Sequence, residues 1–433
     1  MDVALEFGYR VAWALLQLLL SPFYWLSVVF IAIHYRRQML LERRLFSVKM
    51  NSWIGQTWRA WLGGLLAGIC VSAASIGLGI TIPQSIVFLL WGISIVLLLF
   101  RVRMLCLAYA AGIAALGQTI LRFMPDWTPD GWVGTLTTDL REMNAAGLLV
   151  LVALLHAAEA WLVRKQAPLF ASPLFMESKR GRVVGAYQMQ TLWPIPLFLL
   201  FPTVTAGETL PWTPLLSGDI WQQGWMLMAF PVMIGFSELT YTYLPQEKAA
   251  VTSSRLFMYA AALLTISLLA NWWTPLVAVA GIVAIGMHEW LIWQSKFEES
   301  GRSPILTHDR NGLRVQAVLP GSPAEEIGIQ VGELISKVNG IPVRTKEELH
   351  QALRSSAAFC KLEVYNNSGD LKFVQRAVYA GEHHQLGVLL APDDDVNYVA
   401  ITKPASLLHL LSVPWKRSGH AGIGINKDKE SSA

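Results

Sequence analysis

Charge is what this sequence has least of. Asp, Glu, Lys and Arg make up 15% of its 433 residues, against 54% hydrophobic residues and a mean hydropathy of +0.43. A soluble domain carries about 25% charged residues, so the shortfall excludes an ordinary soluble enzyme and a disordered regulator. A net charge of only +4 disfavours a nucleic-acid binder. Cysteine is scarce as well. Cys70, Cys106 and Cys360 are scattered with no CxxC or CxxH spacing, so neither a disulfide framework nor a zinc site is indicated. Cys70 and Cys106 lie in apolar runs and read as buried spectators. Catalytic signatures are missing too. His288-Glu289 is followed by Trp290, Leu291 and Ile292, without the second histidine that a zinc protease needs on the same helix face. There is no G-x-S-x-G elbow and no G-x-x-x-x-G-K-[ST] phosphate loop. No catalytic set, metal or cofactor is therefore expected.

What is present divides at Ser295. Residues 1–295 hold 18 of the 34 Lys/Arg and 14 of the 30 Asp/Glu, which leaves 16 of each sign for residues 296–433. The whole net charge of +4 and all the Trp except Trp415 belong to the first part. Trp enrichment suits a membrane interface, where its amphipathic ring sits at headgroup depth. Nine runs approach the roughly 20 apolar residues a spanning helix needs: 11–34, 60–81, 84–100, 104–123, 144–163, 187–206, 222–244, 254–271 and 274–294. Eight is the alternative count, because Arg101 and Arg103 mark one soft boundary and Asn271–Pro275 another. The first run is too long for a signal-peptide core and reads as a retained helix.

Nine spans place 15 of the 18 basic residues on one side, including Arg36, Arg37, Arg43, Arg44, Arg164, Lys165, Lys248 and Arg255. Arg10, Arg122 and Arg141 fall on the other. The positive-inside rule makes the first side cytoplasmic, with the N-terminus outside and the C-terminal part inside. Among the ionisable residues within the spans, His156, Glu159, Glu238, His288 and Glu289 stand out. Such residues are costly in lipid and are functional candidates by default. They read either as a polar clamp between helices or as a proton relay or cation site.

Beyond Pro304 the hydrophobic period becomes strand-like. Pro304–His308 and Leu313–Leu319 read as strands around an Asp309-Arg310-Asn311-Gly312 turn. Ser322 caps a short helix with Pro323 at its first position, and Thr345 with Glu348 forms a capping box for a helix over Lys346–Arg354. Lys361–Tyr365 and Leu371–Val378 pair as a hairpin, and the stretch Gly381–Ala391 adds a covering strand. Within it, His383 and His384 are adjacent and point to opposite faces of a strand, so a shared metal site is not expected. Ser406–Trp415 reads as a short interfacial or docking helix, and 416–433 as a disordered tail.

Gly321-Ser322-Pro323-Ala324, then Gly328–Gly332, then Val338-Asn339-Gly340 resemble a bacterial PDZ domain. The expected architecture is thus an α-helical polytopic membrane domain over 1–295, a small α/β PDZ domain over 302–392, a partly open barrel with two helices, and a tail over 393–433. PDZ domains bind an extended peptide as an added strand. The resemblance implies Gly312, Leu313, Arg314, Val315, Gln316 and Ala317 as the binding edge, with Lys346 and His350 either lining the groove or merely solvated. The carboxylate-capturing loop is here a short turn, which leaves internal segments or folded partners as alternatives to a C-terminus.

The whole arrangement is similar to the MinJ family of Min-system bridging proteins of Gram-positive, endospore-forming bacteria. Ser21–Trp25 through the basic run Arg36–Arg44, the His156–Glu159 stretch and Gly381–Gly387 carry that likeness. It implies a non-enzymatic scaffold in the cell membrane at septum and poles, linking DivIVA-like and MinD-like division proteins, with self-association open. Two other readings stand beside it: a PDZ-regulated transporter or channel using His156, Glu159 and Glu238, and a non-catalytic adaptor of a membrane protease.

Overall fold

The structure, a computed structural model, describes residues 3–46, 48, 50, 52–100, 104, 106–178, 181–202, 212–216, 224–355, 359–377, 386–393, 398–400 and 423–425. Four helices are long and apolar enough to cross a bilayer: α3 (Trp53–Leu78), α7 (Ala145–Gln166, prolonged by a 3-10 turn to Phe170), α8 (Pro245–Ala270) and α9 (Leu276–Gly301). A fifth unit is the pair α1 (Val3–Leu20) and α2 (Pro22–Phe46), bent by 51° at Ser21. Pro22 has no N–H to continue the first helix and is well placed to start the second. Shorter helices α4 (Gln84–Phe100), α5 (Leu107–Arg122) and α6 (Gly131–Glu142) complete the helical part. The expected nine helical spans, or eight, are not found: among the described residues four helices, or five units with the bent pair, are long and apolar enough.

Two of the nine runs are strands. Residues 187–206 and 222–244 contribute β2 (Val183–Pro202) and β3 (Trp225–Thr240), paired antiparallel along all of β3. β1 (Ala171–Glu177) adds to the opposite side of β2 over Val183–Met189. Proline explains the change of class. Pro194, Pro196 and Pro231 would each cost roughly 3 kcal/mol in a helix interior. In a strand, the spacing of Pro194 and Pro196 puts both on one edge.

That edge faces α3 and is closed position by position. Leu192 N–H donates to Tyr35 Oη (3.5 Å) and Phe198 N–H to Ser72 Oγ (2.8 Å). Between them Pro194 and Pro196 have no N–H to satisfy, and beyond them Leu200 bridges Thr81. A Cβ added at Gly64 or Gly68 would overlap the carbonyl oxygens of Pro194 and Pro196, so α3 can lie this close only with glycine there. In apolar surroundings an unclosed strand edge is forbidden, which is why each of these positions has an answer. On the other flank of the bundle α5 and α9 cross through Gly112 and Gly281. A Cβ at Gly112 would meet Ile285 Cγ1 at 2.7 Å and Gly281 O at 3.0 Å, a small-residue contact of the kind that packs helices in lipid. α7 runs through the middle, with Leu149, Leu151 and Leu162 fully buried.

The C-terminal domain is an antiparallel sheet in the order β8-β7-β5-β4-β9, with β6 on β5. Its strands are β4 (Leu313–Val318), β5 (Leu334–Val338), β6 (Ile341–Pro342), β7 (Phe359–Tyr365), β8 (Leu371–Ala377) and β9 (Val388–Leu390). α10 (Pro323–Glu326) is capped by Ser322, which accepts from Glu325 N–H, and α11 (Lys346–Arg354) carries the Thr345/Glu348 capping box that its sequence implies. Asn339, at φ 52°, turns β5 into β6, while its side chain accepts from Lys361 N–H and donates to Ala352 O. Val315, Ile335, Val338, Leu349, Leu362 and Val364 form the core. Pro304–His308 is not a strand of this sheet, because Leu306 bridges Gly185 of β2 instead. In the tail, Ile423–Ile425 (β11) pairs antiparallel with Tyr398–Ala400 (β10). His383, His384, Arg101, Arg103 and 406–415 lie outside the described residues.

Candidate functional site at the sheet edge and within the bundle

The expected binding edge is occupied. β4 sits between β5 and β9, with Val315 opposite Leu390, Ala317 opposite Leu389 and Val318 opposite Val388. Leu313, Val315 and Ala317 are buried, and a Cβ at Gly312 would overlap Ile335 O. Arg314 is spent on local structure, donating to Gly332 O (3.1 Å) and pairing with Asp309 (3.2 Å). Among the described residues, the open edge next to β4 is instead β9. Gly387 O accepts from Leu319 N–H and Ala391 N–H donates to Arg314 O, both at 2.8 Å. By the two-residue alternation of a strand, Val388 and Leu390 then turn their main-chain groups away from β4. Their side chains pack half-buried on the same core as Leu349, Ala352 and Leu353 of α11. Gly387 is at φ 80°, and a Cβ there would overlap Ser322. Lys346 is exposed and His350 half-buried on α11. Local pattern marked β4 as an edge because the strand that covers it comes some 70 residues later in the chain.

Gln316 has a different role. It is wholly buried, and its Nε2 donates to Leu174 O (3.1 Å) and Ala186 O (3.2 Å), in β1 and β2. Tyr187 Oη donates back to Gln316 O. The connecting segment is pinned alongside: Ile305 N–H donates to Tyr241 O (3.0 Å), Gly185 N–H to Leu306 O (2.8 Å), and Arg302 stacks over the Tyr243 ring at 4.4 Å. The C-terminal domain is thus seated on the end of the three-stranded sheet rather than tethered loosely below it.

The five intramembrane ionisables separate into two groups. His156 and Glu159, both in α7, are 4.0 Å apart. Tyr109 of α5 contacts His288 Nδ1 at 3.0 Å and donates to Glu289 at 2.7 Å. The His156 and His288 rings lie 5.5 Å apart, and Tyr259 stands 5.0 Å from the first and 6.0 Å from the second. Cys106, read from sequence as a spectator, places its Sγ 3.3 Å from His156 Nε2. Cys70 is not buried but exposed. Glu238 belongs elsewhere. It accepts from Thr252 Oγ1 (2.7 Å) and pairs with the buried Lys248 (3.5 Å), which also binds Glu299 (3.0 Å) and Ser295 (2.9 Å). Glu299 in turn accepts from both Thr242 groups and Tyr241 N–H, tying α9 to the end of β3.

Residues 314–365 match the PDZ domain family. Along most of its length the chain is similar to the cell division topological determinant MinJ of Bacillus subtilis (strain 168), 27% identical over 384 residues, 87% of this chain and 93% of that protein. It is also similar to the probable cell division topological determinant MinJ of Lacticaseibacillus paracasei, 28% identical over 353 residues, 77% and 85% of the two chains. Serine protease HTRA3 of Mus musculus is 37% identical over only 90 residues, 21% of this chain and 19% of that protein. The chain is therefore MinJ-like with a C-terminal PDZ domain, and the relatives that match it at length are named as division determinants, not as enzymes.

Proposed function

We propose that this MinJ-like chain is a non-enzymatic scaffold of the cell membrane. It recruits division proteins to the inner membrane face, joining DivIVA-like and MinD-like partners at septum and poles. The observation that carries the reading is the edge of β9, open among the described residues and sharing its core with α11, on a domain seated against the three-stranded sheet. A strand edge offers main-chain pairing for an incoming segment, and the neighbouring helix supplies the side-chain selectivity. Anchoring restricts partners to a thin layer, where modest affinities suffice through raised effective concentration.

Leu390→Pro tests it. The substitution removes an outward N–H while sparing the ladder to β4, a position where a strand edge tolerates proline. Full-length variant expressed in dividing cells is expected to insert at the wild-type level and to lose capture of DivIVA-like or MinD-like protein. Unchanged capture, or a fluorescent full-length fusion spread evenly around the membrane, overturns the reading.

A further inference from the structure

Three side chains that no local spacing connects meet inside the helix bundle: Cys106 at the start of α5, His156 in α7 and His288 in α9. One donor atom from each lies within 4.8 Å of the other two. In a tetrahedral zinc site, bonds of about 2.0–2.1 Å to nitrogen and about 2.3 Å to sulfur set neighbouring donors roughly 3.3–3.6 Å apart. The Cys106–His156 separation of 3.3 Å already fits. Closing the rest of the triangle takes about an ångström of side-chain movement.

Both rings are oriented from behind. His156 Nδ1 lies 2.7 Å from Val152 O, which can only accept, so the proton is on Nδ1 and the Nε2 lone pair faces Cys106. His288 Nδ1 is engaged by Tyr109, whose own proton goes to Glu289. Metal-bound histidines are characteristically held this way, by a carbonyl or a hydrogen-bonded chain ending in a carboxylate. Glu159, one turn on from His156 on the same face, brings a carboxylate within 4.0 Å of Nε2.

We propose that Cys106, His156 and His288 bind a zinc ion, with Glu159 in the fourth position. Thiolate and imidazole donors select zinc over magnesium or calcium. One thiolate and one carboxylate neutralise the divalent charge, and a neutral centre is what an apolar interior accepts. Binding forms the Zn–S bond and releases the Cys106 thiol proton. The ion staples α5, α7 and α9.

The test uses full-length protein without a histidine tag, purified in detergent, stripped with chelator, loaded with Zn²⁺ or Co²⁺ and desalted. Wild type is expected to retain one ion per chain. With Co²⁺ it is expected to show a thiolate-to-cobalt charge-transfer band. Zn²⁺ is expected to raise its thermal unfolding temperature. Cys106→Ser should lose the band and His156→Ala the ion, while Tyr109→Phe weakens retention about 10–100-fold. Cys70→Ser, Cys360→Ser and the double variant His383→Ala/His384→Ala should retain it. Wild type that holds no more metal than Cys106→Ser/His156→Ala, or an unfolding temperature that Zn²⁺ leaves unmoved, overturns the proposal. So does retention lost in His383→Ala/His384→Ala.

Discussion

The chain contains two sheets that face the same problem, an unpaired strand edge, and treat it in opposite ways. In the hairpin, the β2 edge runs along α3 and every position from Leu192 to Leu200 is answered by a hydroxyl, a proline, a glycine contact or a bridge. In the PDZ domain, β9 pairs with β4 on one side and leaves Val388 and Leu390 directed outward. Water can serve an open edge and lipid cannot. A closed edge is therefore a condition of folding, whereas an open one is available for binding.

Substitutions can break this comparison, beginning with the one of largest effect. Gly68→Leu forces α3 away from Pro196 and reopens the edge, so destabilisation should exceed about 4 kcal/mol. The measurement is recovery of monodisperse full-length protein, which should collapse. Ser72→Ala orphans the Phe198 N–H and should cost about 1–3 kcal/mol, read as a lowered unfolding temperature in detergent. A variant as stable as wild type would mean that the edge needs no closing. In the PDZ core, burial pushes the Cys360 thiol from 9.0 up to about 11. The folded state keeps its proton where the unfolded state has lost it, so stability is unaffected below pH 9 and falls as pH rises from 9 towards 11. Alkylation of Cys360 at pH 8 should be correspondingly slow, and rapid labelling in the folded protein would count against the burial. Smallest is Lys346→Ala on α11, expected to shift stability by less than about 0.5 kcal/mol while changing partner capture if the residue lines the groove.

Legibility from sequence followed the range of the interactions. The caps at Ser322 and Thr345 and the Asn339-Gly340 turn are satisfied within a few residues, so the PDZ domain could be read from short motifs. The runs 187–206 and 222–244 misled because hydropathy reports where a segment sits and not its period; Pro194, Pro196 and Pro231 were the signal for a strand. Gln316 looked like a groove residue by its place in β4, and only tertiary contact with Leu174 and Ala186 shows it as a lock. Cys106 and His156 are 50 positions apart, and His288 farther still, so no ligand spacing could announce them.

The hairpin also has a mechanical consequence. A strand advances about 3.3 Å per residue and a helix about 1.5 Å. The 20 residues of β2 therefore reach about 66 Å, against about 39 Å for the 26 residues of α3 beside it. With Thr81 and Leu200 level at one end, the surplus emerges at the other, over Val183–Met189 where β1 joins and Gln316 docks. The surplus strand sets how far the PDZ domain stands from the end of α3, and in which direction it faces.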